Sequence, residues 1–299
     1  MSAQPSRSHS REILALAIPA FATLISEPLL MIADSAVVGH LGTSELAGLA
    51  VSTNILTLLA GLCVFLAYGT TATVARRLGA GDRAKALSGG FDGMVLATLI
   101  GFTLTVALVA FLGPVIGAFG VDHATADAAH TYLSITGWAL APMLVMLAAT
   151  GVLRGLQDTR TPLYVAVVAN LTNIALNIAL VYGLGLGIAG AAIGTLLAQT
   201  AATGALCLVV LRGMRRERVR PAFNPAGVLA SARDGGWLFV RTITLRASIL
   251  LTAFVAAQMG AAPLAAHQVT TSLWNLLAFA LDALSLIHIS APTRLLSIS

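Results

Sequence analysis

Residues 46–77 read LAGLAVSTNILTLLAGLCVFLAYGTTATVARR. From Leu46 to Ala75 there is no charged side chain, and then Arg76 and Arg77 arrive together. A membrane-spanning helix needs about 20 mostly apolar residues, so this stretch can cross a bilayer with length to spare. In hydrocarbon the backbone must satisfy its own hydrogen bonds within the segment, so the stretch is predicted to be helical.

The same unit recurs along the chain. Eight apolar runs are predicted as spans, at 13–38, 46–75, 86–113, 128–152, 162–183, 188–211, 228–258 and 264–285. The connections alternate. Arg7 and Arg11 precede the first run; Arg76, Arg77, Arg83 and Lys85 follow the second; Arg154 and Arg160 follow the fourth. Arg212, Arg215, Arg216, Arg218, Arg220 and Arg233 follow the sixth, whereas the connections around His40, Asp122, Gly185 and Ala261 carry no Lys or Arg. Lys and Arg collect in cytoplasmic loops, so the basic side is read as inside, with the N-terminus cytoplasmic. Arg241 and Arg246 sit inside the seventh run, near what is predicted to be its cytoplasmic start, and could snorkel toward that side.

Composition agrees. The chain is 58% hydrophobic and 10% charged, against roughly 25% charged in a soluble domain. The pI of about 9.9 reflects loop arginines that orient the chain and touch anionic headgroups, so no nucleic-acid partner is expected. Cys63 and Cys207 lie inside apolar runs and read as small apolar residues, neither a disulfide nor a metal site. The first run is too long for a signal-peptide core and is read as an uncleaved span.

Sliding the chain by 218 residues places Gly42 on Gly260, Leu46 on Leu264, Val51 on Val269, Thr53 on Thr271 and Leu58-Leu59-Ala60 on Leu276-Leu277-Ala278. The repeat unit is therefore six spans, and an even number gives both copies the same orientation. After Ser285 the match vanishes. Residues 286–299 look like translated adapter sequence, and a full second copy is expected to continue into four more helices. The expected layout is a cytoplasmic tail at 1–12, a six-helix lobe at 13–211, a basic linker at 212–227, two helices of a second lobe at 228–285, and an atypical tail at 286–299.

Polar residues within these runs are the candidates for chemistry, because a charge near a helix centre costs roughly 2.5–3.5 kcal/mol on insertion scales. Glu27 and Asp34 share a face of the first span, which Pro19 and Pro28 are expected to bend. Asn170, Asn173 and Asn177 share a face of the fifth, as do Thr195, Gln199 and Thr203 of the sixth, where Gly190, Gly194 and Gly204 suggest close helix approach. Asp282 stands in the eighth span. Asp92, His130 and Tyr132 are read as interfacial. No His-Glu-x-x-His, Gly-x-Ser-x-Gly or P-loop sequence occurs, which argues against those hydrolases and against ATP-driven pumping within this chain.

Three stretches carry a resemblance. Ala33-Asp34-Ser35-Ala36-Val37-Val38-Gly39-His40-Leu41-Gly42, then Leu153-Arg154-Gly155-Leu156-Gln157-Asp158-Thr159-Arg160-Thr161-Pro162, and Gly190-Ala191-Ala192-Ile193-Gly194-Thr195 resemble the MATE (multidrug and toxic compound extrusion) transporters, in their DinF-like branch. The resemblance implies an all-α polytopic membrane helix bundle, here one six-helix N-lobe plus the first two helices of the repeated C-lobe, in a multi-pass monomer of the bacterial plasma (inner) membrane. It implies antiport of amphipathic or cationic small molecules against a proton or sodium gradient, with no other cofactor and no enzymatic activity. The family's coupling acid falls on Asp34, its helix 5 polar pair on Asn173 and Asn177, and its helix 6 Thr on Thr195. Glu27, Asn170, Gln199, Thr203 and Arg241 are candidates for the substrate cavity. Family members often carry Asp where Asn177 stands. Asn does not titrate, which leaves Asp34 as the main acid of the lobe and favours protons over sodium. A lipid-linked precursor flippase would need more cations in its cavity, and an intramembrane transferase would need clustered Asp or a nucleophile with its base. With four helices missing, the chain as written is expected to be transport-deficient.

Overall fold

The computed structural model describes residue 30, residues 32–259 and eight positions between 267 and 281. Glu27, Pro19, Pro28, Asp282 and most of 260–285, the stretch that carries the repeat match, lie outside the described residues. Every regular element among the described residues is helical. The end of the first span, α1, is helical over 32–39. It is followed by α2 (Thr43–Leu62), α3 (Phe65–Gly79), α4 (Arg83–Ala110), the short α5 (Leu112–Gly117), α6 (His123–Thr136), α7 (Leu140–Gly155), α8 (Arg160–Ile178), α9 (Gly187–Arg216) and α10 (Pro225–Gln258).

Among the described residues, five stretches are long and apolar enough to cross a membrane: Thr43–Gly79, Arg83–Ala110, His123–Gly155, Arg160–Gly183 and Gly187–Arg216. They correspond to the second to sixth apolar runs. Three contain local changes of winding, one of them a π turn at Ala179–Gly183. Between α2 and α3 the chain tightens, with Cys63 N on Ala60 O at 3.0 Å and Leu66 N on Cys63 O at 2.9 Å. Between α6 and α7 a 3₁₀ turn occupies Gly137–Ala139. Such tightening keeps backbone groups bonded while redirecting the axis.

The packing is that of a membrane bundle, with large apolar residues outward and small ones between helices. Phe102, Val168, Leu171 and Leu208 are exposed. The centre is formed by α3, α4 and α7 around Val74, Ala97, Leu144, Ala148 and Val152, all fully buried. Thr70 donates to Ala148 O at 3.2 Å and Thr71 to Gly151 O at 3.1 Å, tying α3 to α7 across their faces. This approach needs Gly155, where a Cβ would stand 2.7 Å from Val74 Cβ and 2.9 Å from Thr71 O.

The Arg-bearing turns have well-defined stops. At the ends of α3, α7 and α9 the backbone folds back by paired bonds such as Asp82 N to Arg77 O at 3.1 Å, Asp158 N to Leu153 O at 2.9 Å and Val219 N to Met214 O at 2.8 Å. This helix-ending motif places its turn residue at positive φ; Gly81 fills it at 80°, but Gln157 (65°) and Arg218 (56°) do so elsewhere. Asp82 and Asp158 then cap the following helices, accepting from Lys85 N at 2.8 Å and Thr161 N at 2.9 Å. The linker is shorter than the hydropathy suggests. Helix α9 runs on to Arg216 and α10 begins at Pro225, leaving 217–224 between them. Apolarity ends at the bilayer surface, but a helix ends only where its backbone bonds are redirected.

Candidate functional site

Helix α8 supplies the centre of the site. Asn173 and Asn177, one turn apart, point the same way, and they are 2% and 0% exposed. Asn177 Nδ2 donates to Asp34 Oδ1 at 2.7 Å and to Asn173 Oδ1 at 3.0 Å. Asn173 Nδ2 donates to Thr195 Oγ1 on α9 at 3.1 Å, and Thr195 Oγ1 is 3.4 Å from the Tyr132 hydroxyl on α6. Four helices thus contribute to one chain of hydrogen bonds that ends on a carboxylate 8% exposed. A carboxylate in hydrocarbon needs such partners.

Two local features make the geometry possible. Immediately after Asn177 the helix widens to a π turn over Ala179–Gly183, a local bulge that turns the Tyr182 hydroxyl onto Val37 O at 2.6 Å and so fastens α8 to α1. On α9, Gly194 faces the Asn177 amide. A Cβ there would stand 3.2 Å from Asn177 Cγ and 3.3 Å from its backbone N, so the close contact of α8 and α9 depends on hydrogen at this position. Asn177 Oδ1 is buried and accepts no hydrogen bond among the described residues. The amide has spent both N–H groups on its neighbours and keeps its acceptor in reserve.

The four residues Asp34, Asn173, Asn177 and Thr195 are therefore brought together. Of the wider set, Glu27 lies outside the described residues, and Asn170 and Gln199 flank the four along α8 and α9. Asn170 is half-buried one turn before Asn173. Gln199 is half-buried, and Thr203 donates instead to Pro142 O on α7 at 2.8 Å. Of the three glycines expected at close approaches, Gly190 and Gly194 pack against the α8 segment, while Gly204 has nothing within 4 Å of its would-be Cβ. Arg241 and Arg246 are not near a helix start. Because α10 begins at Pro225, they lie sixteen and twenty-one residues along it, and Arg246 Nη2 reaches back to Gly61, 2.9 Å from where a Cβ would stand.

Two residues read as interfacial are instead interior. Tyr132 is 2% exposed and closes the chain of bonds. Asp92 is 4% exposed, with its Cγ 2.6 Å from where a Cβ on Gly227 would stand, beneath the first turn of α10. The signal that could have found Tyr132 is its polar tip on the same run as the tightly packed α6–α9 contact. The depth of that contact depends on which helices pair, and a single run does not say.

Residues 19–179 match the MatE family model. The chain is 32% identical over 291 residues to Protein DETOXIFICATION 44, chloroplastic, of Arabidopsis thaliana, covering 92% of this chain and 55% of that protein. It is 30% identical over 284 residues to DNA damage-inducible protein F of Escherichia coli, covering 92% and 61%. Among solved structures, the Vibrio cholerae MATE transporter VcmN in its bent form superposes with a TM-score of 0.81 at 22% identity, covering 96% of this chain and 65% of that one. A MOP superfamily transporter from Pyrococcus furiosus gives 0.76 at 21%, covering 92% and 62%. The chain thus spans a little over half the length of these curated relatives. On the family match and the relatives together, it belongs to the MatE family of membrane transporters.

Proposed function

We propose that the full-length protein is a cation-coupled antiporter that exports amphipathic or cationic small molecules, with the proton as coupling ion and Asp34 as its carrier. The observation that supports this reading is the chain running Asp34–Asn177–Asn173–Thr195–Tyr132. One ionisable carboxylate is joined to four neutral groups. Ionised, it brings a full charge into the bundle and takes both its hydrogen bond and its solvation from the Asn177 amide. Neutral, it has a donor of its own, and Asn177 Oδ1 is the buried acceptor left unfilled nearby. Proton uptake therefore exchanges one arrangement of donors for another and frees α1 to repack against α8.

The energetics suffice. One charge moving down 100 mV supplies about 2.3 kcal/mol, which at 1.4 kcal/mol per tenfold sustains a gradient of roughly 50-fold per proton. The acids and amides of the lobe favour cationic cargo. A relative named "Probable multidrug resistance protein NorM", from Thermotoga maritima, supports xenobiotic export, and localisation in a bacterial inner membrane is part of the same proposal.

The test is Asp34→Asn in the full-length protein, reconstituted in liposomes with an imposed proton gradient. Uphill extrusion of a cationic dye is expected to vanish while expression and thermal stability stay near the parent's, since Asn can still accept from Asn177. Extrusion at the parent's rate against a gradient would overturn the assignment.

A further inference from the structure

The end of α9 carries Arg212, Arg215 and Arg216, and the linker beyond it adds Arg218 and Arg220. All five are exposed. None of their guanidiniums makes an ion pair or hydrogen bond with any of the described residues. Between Arg212 and Asp234 the sequence offers one acid, Glu217, and both flanking acids are taken. Glu217 Oε1 sits 3.2 Å from Arg83 Nε, and Asp234 Oδ2 sits 3.2 Å from Arg76 Nη2. Five guanidiniums thus stand within nine residues, and the two acids of this stretch, Glu217 and Asp234, are each paired with an arginine outside the cluster. Like charges so spaced repel one another, and a partner that supplies several anions relieves that cost.

The backbone presents them from a fixed frame. Val219 N bonds Met214 O at 2.8 Å and Arg218 N bonds Arg215 O at 3.1 Å, so the turn at the helix end is hydrogen-bonded rather than loose. The neighbourhood selects the partner. Leu208, one turn before Arg212, is 54% exposed on the outer apolar face, so the cluster begins about 6 Å along the helix from that face. Phe223, 65% exposed, follows the cluster, and aromatic rings of this kind settle at the level of lipid headgroups. Planar guanidiniums pair bidentately with phosphate oxygens.

We infer that this arginine cluster is a docking site for the phosphate headgroups of anionic phospholipids, which pins the linker between α9 and α10 to the bilayer surface. The inference rests on the membrane placement of α9, not on proton coupling or on Asp34, so it can fail while the transport reading stands, and the reverse.

The full chain, purified in neutral detergent, is titrated with phosphatidylglycerol or phosphatidylcholine, and bound lipid is counted by native mass spectrometry. A basic residue near the surface contributes about 1 kcal/mol toward anionic lipid, or roughly fivefold in affinity. Phosphatidylglycerol is expected to bind at least tenfold more tightly than phosphatidylcholine. The preference should shrink between 50 and 500 mM salt, and the quadruple variant R215Q/R216Q/R218Q/R220Q should lose it. Should that variant fail to fold, the salt dependence of the parent and the single variants R215Q and R216Q, each expected severalfold weaker, carry the test. Equal binding of the two lipids, a salt-independent preference, or an unchanged preference in the variants overturns the inference. So does tighter binding of inorganic phosphate or of a single-stranded oligonucleotide than of phosphatidylglycerol.

Discussion

Replacing Gly194 by Ala tests the site through its packing. In a helix interior the change alone stabilises by up to about 1 kcal/mol, because Ala loses less backbone freedom on folding. At position 194 the added methyl meets Asn177, with Cγ at 3.2 Å and backbone N at 3.3 Å, and it falls on the amide oxygen. The backbone of α8 is fixed by its own ladder, so the amide must swing away. Its bonds of 2.7 Å to Asp34 and 3.0 Å to Asn173 are then lost. A bond to a charged group is worth about 1.5–3 kcal/mol and a neutral one about 0.5–1.5, so the net effect is a destabilisation of about 2 kcal/mol. Gly204 is the internal control. It lies on the same helix with nothing within 4 Å of its would-be Cβ, so Gly204→Ala keeps only the propensity gain. Reversible unfolding in mixed micelles with increasing SDS, followed by tryptophan fluorescence, should move the two midpoints in opposite directions. A Gly194→Ala protein as stable as the parent, or two variants shifted alike, would refute the account of how α8 and α9 hold the site.

Hydrogen bonds from the Lys85 side chain and backbone hold Asp82 below the usual carboxylate range, and those from Thr125 do the same for Asp122. A depressed folded value means stability present above the unfolded value, near pH 4, and lost as pH falls through the folded one; the double variant Asp82→Asn, Asp122→Asn keeps both caps and should show a shallower loss of stability below pH 4, whereas an unchanged slope would contradict this. Arg218 holds a positive φ of 56° with no described side-chain partner, so Arg218→Gly should raise stability by about 1 kcal/mol, and a loss in the same unfolding assay would show that the turn is not strained.

The fold was legible in the spacing of apolar runs because hydropathy reports the one constraint that hydrocarbon imposes on every span. The heart of the site was legible for the same reason. Asn173 and Asn177 stand out as amides in an apolar run, and their four-residue spacing fixes a shared face before any neighbour is known. What sits across from that face was harder to read. Thr195 and Thr203 share a side of α9, yet that side is divided between neighbours, with Thr195 meeting Asn173 and Tyr132 while Thr203 meets α7. Tyr132 and Asp92 were misjudged because both lie within about two and a half turns of a helix start, where water is the default partner. Their burial comes from α9 and α10, elements far away in sequence. Arg241 and Arg246 lie deep in α10 on either boundary, thirteen and eighteen residues from 228 and sixteen and twenty-one from Pro225, so the length of the run already sets them well past its start.

The choice between proton and sodium turns on position 177, and that position can be altered. Asn177→Asp would place a second carboxylate where the amide now lies 2.7 Å from Asp34. Two full charges at that distance repel by roughly 6 kcal/mol at an effective dielectric constant of 20, and no amide would remain to donate between them. Such a pair persists only with a shared proton or with a cation between the oxygens. The variant should therefore be less stable than the parent at neutral pH in choline chloride and recover when sodium replaces choline at constant ionic strength, because the cation then supplies the charge that the amide's N–H groups now offset. The parent, with one carboxylate already bonded, has little to gain from sodium and should unfold at the same midpoint in either salt. If the parent is itself stabilised by sodium over choline at micromolar to millimolar concentrations, one carboxylate with its amide and hydroxyl neighbours is already a sodium site. The argument from Asn177 toward protons would then be wrong, although Asp34 would keep its place at the centre of the coupling.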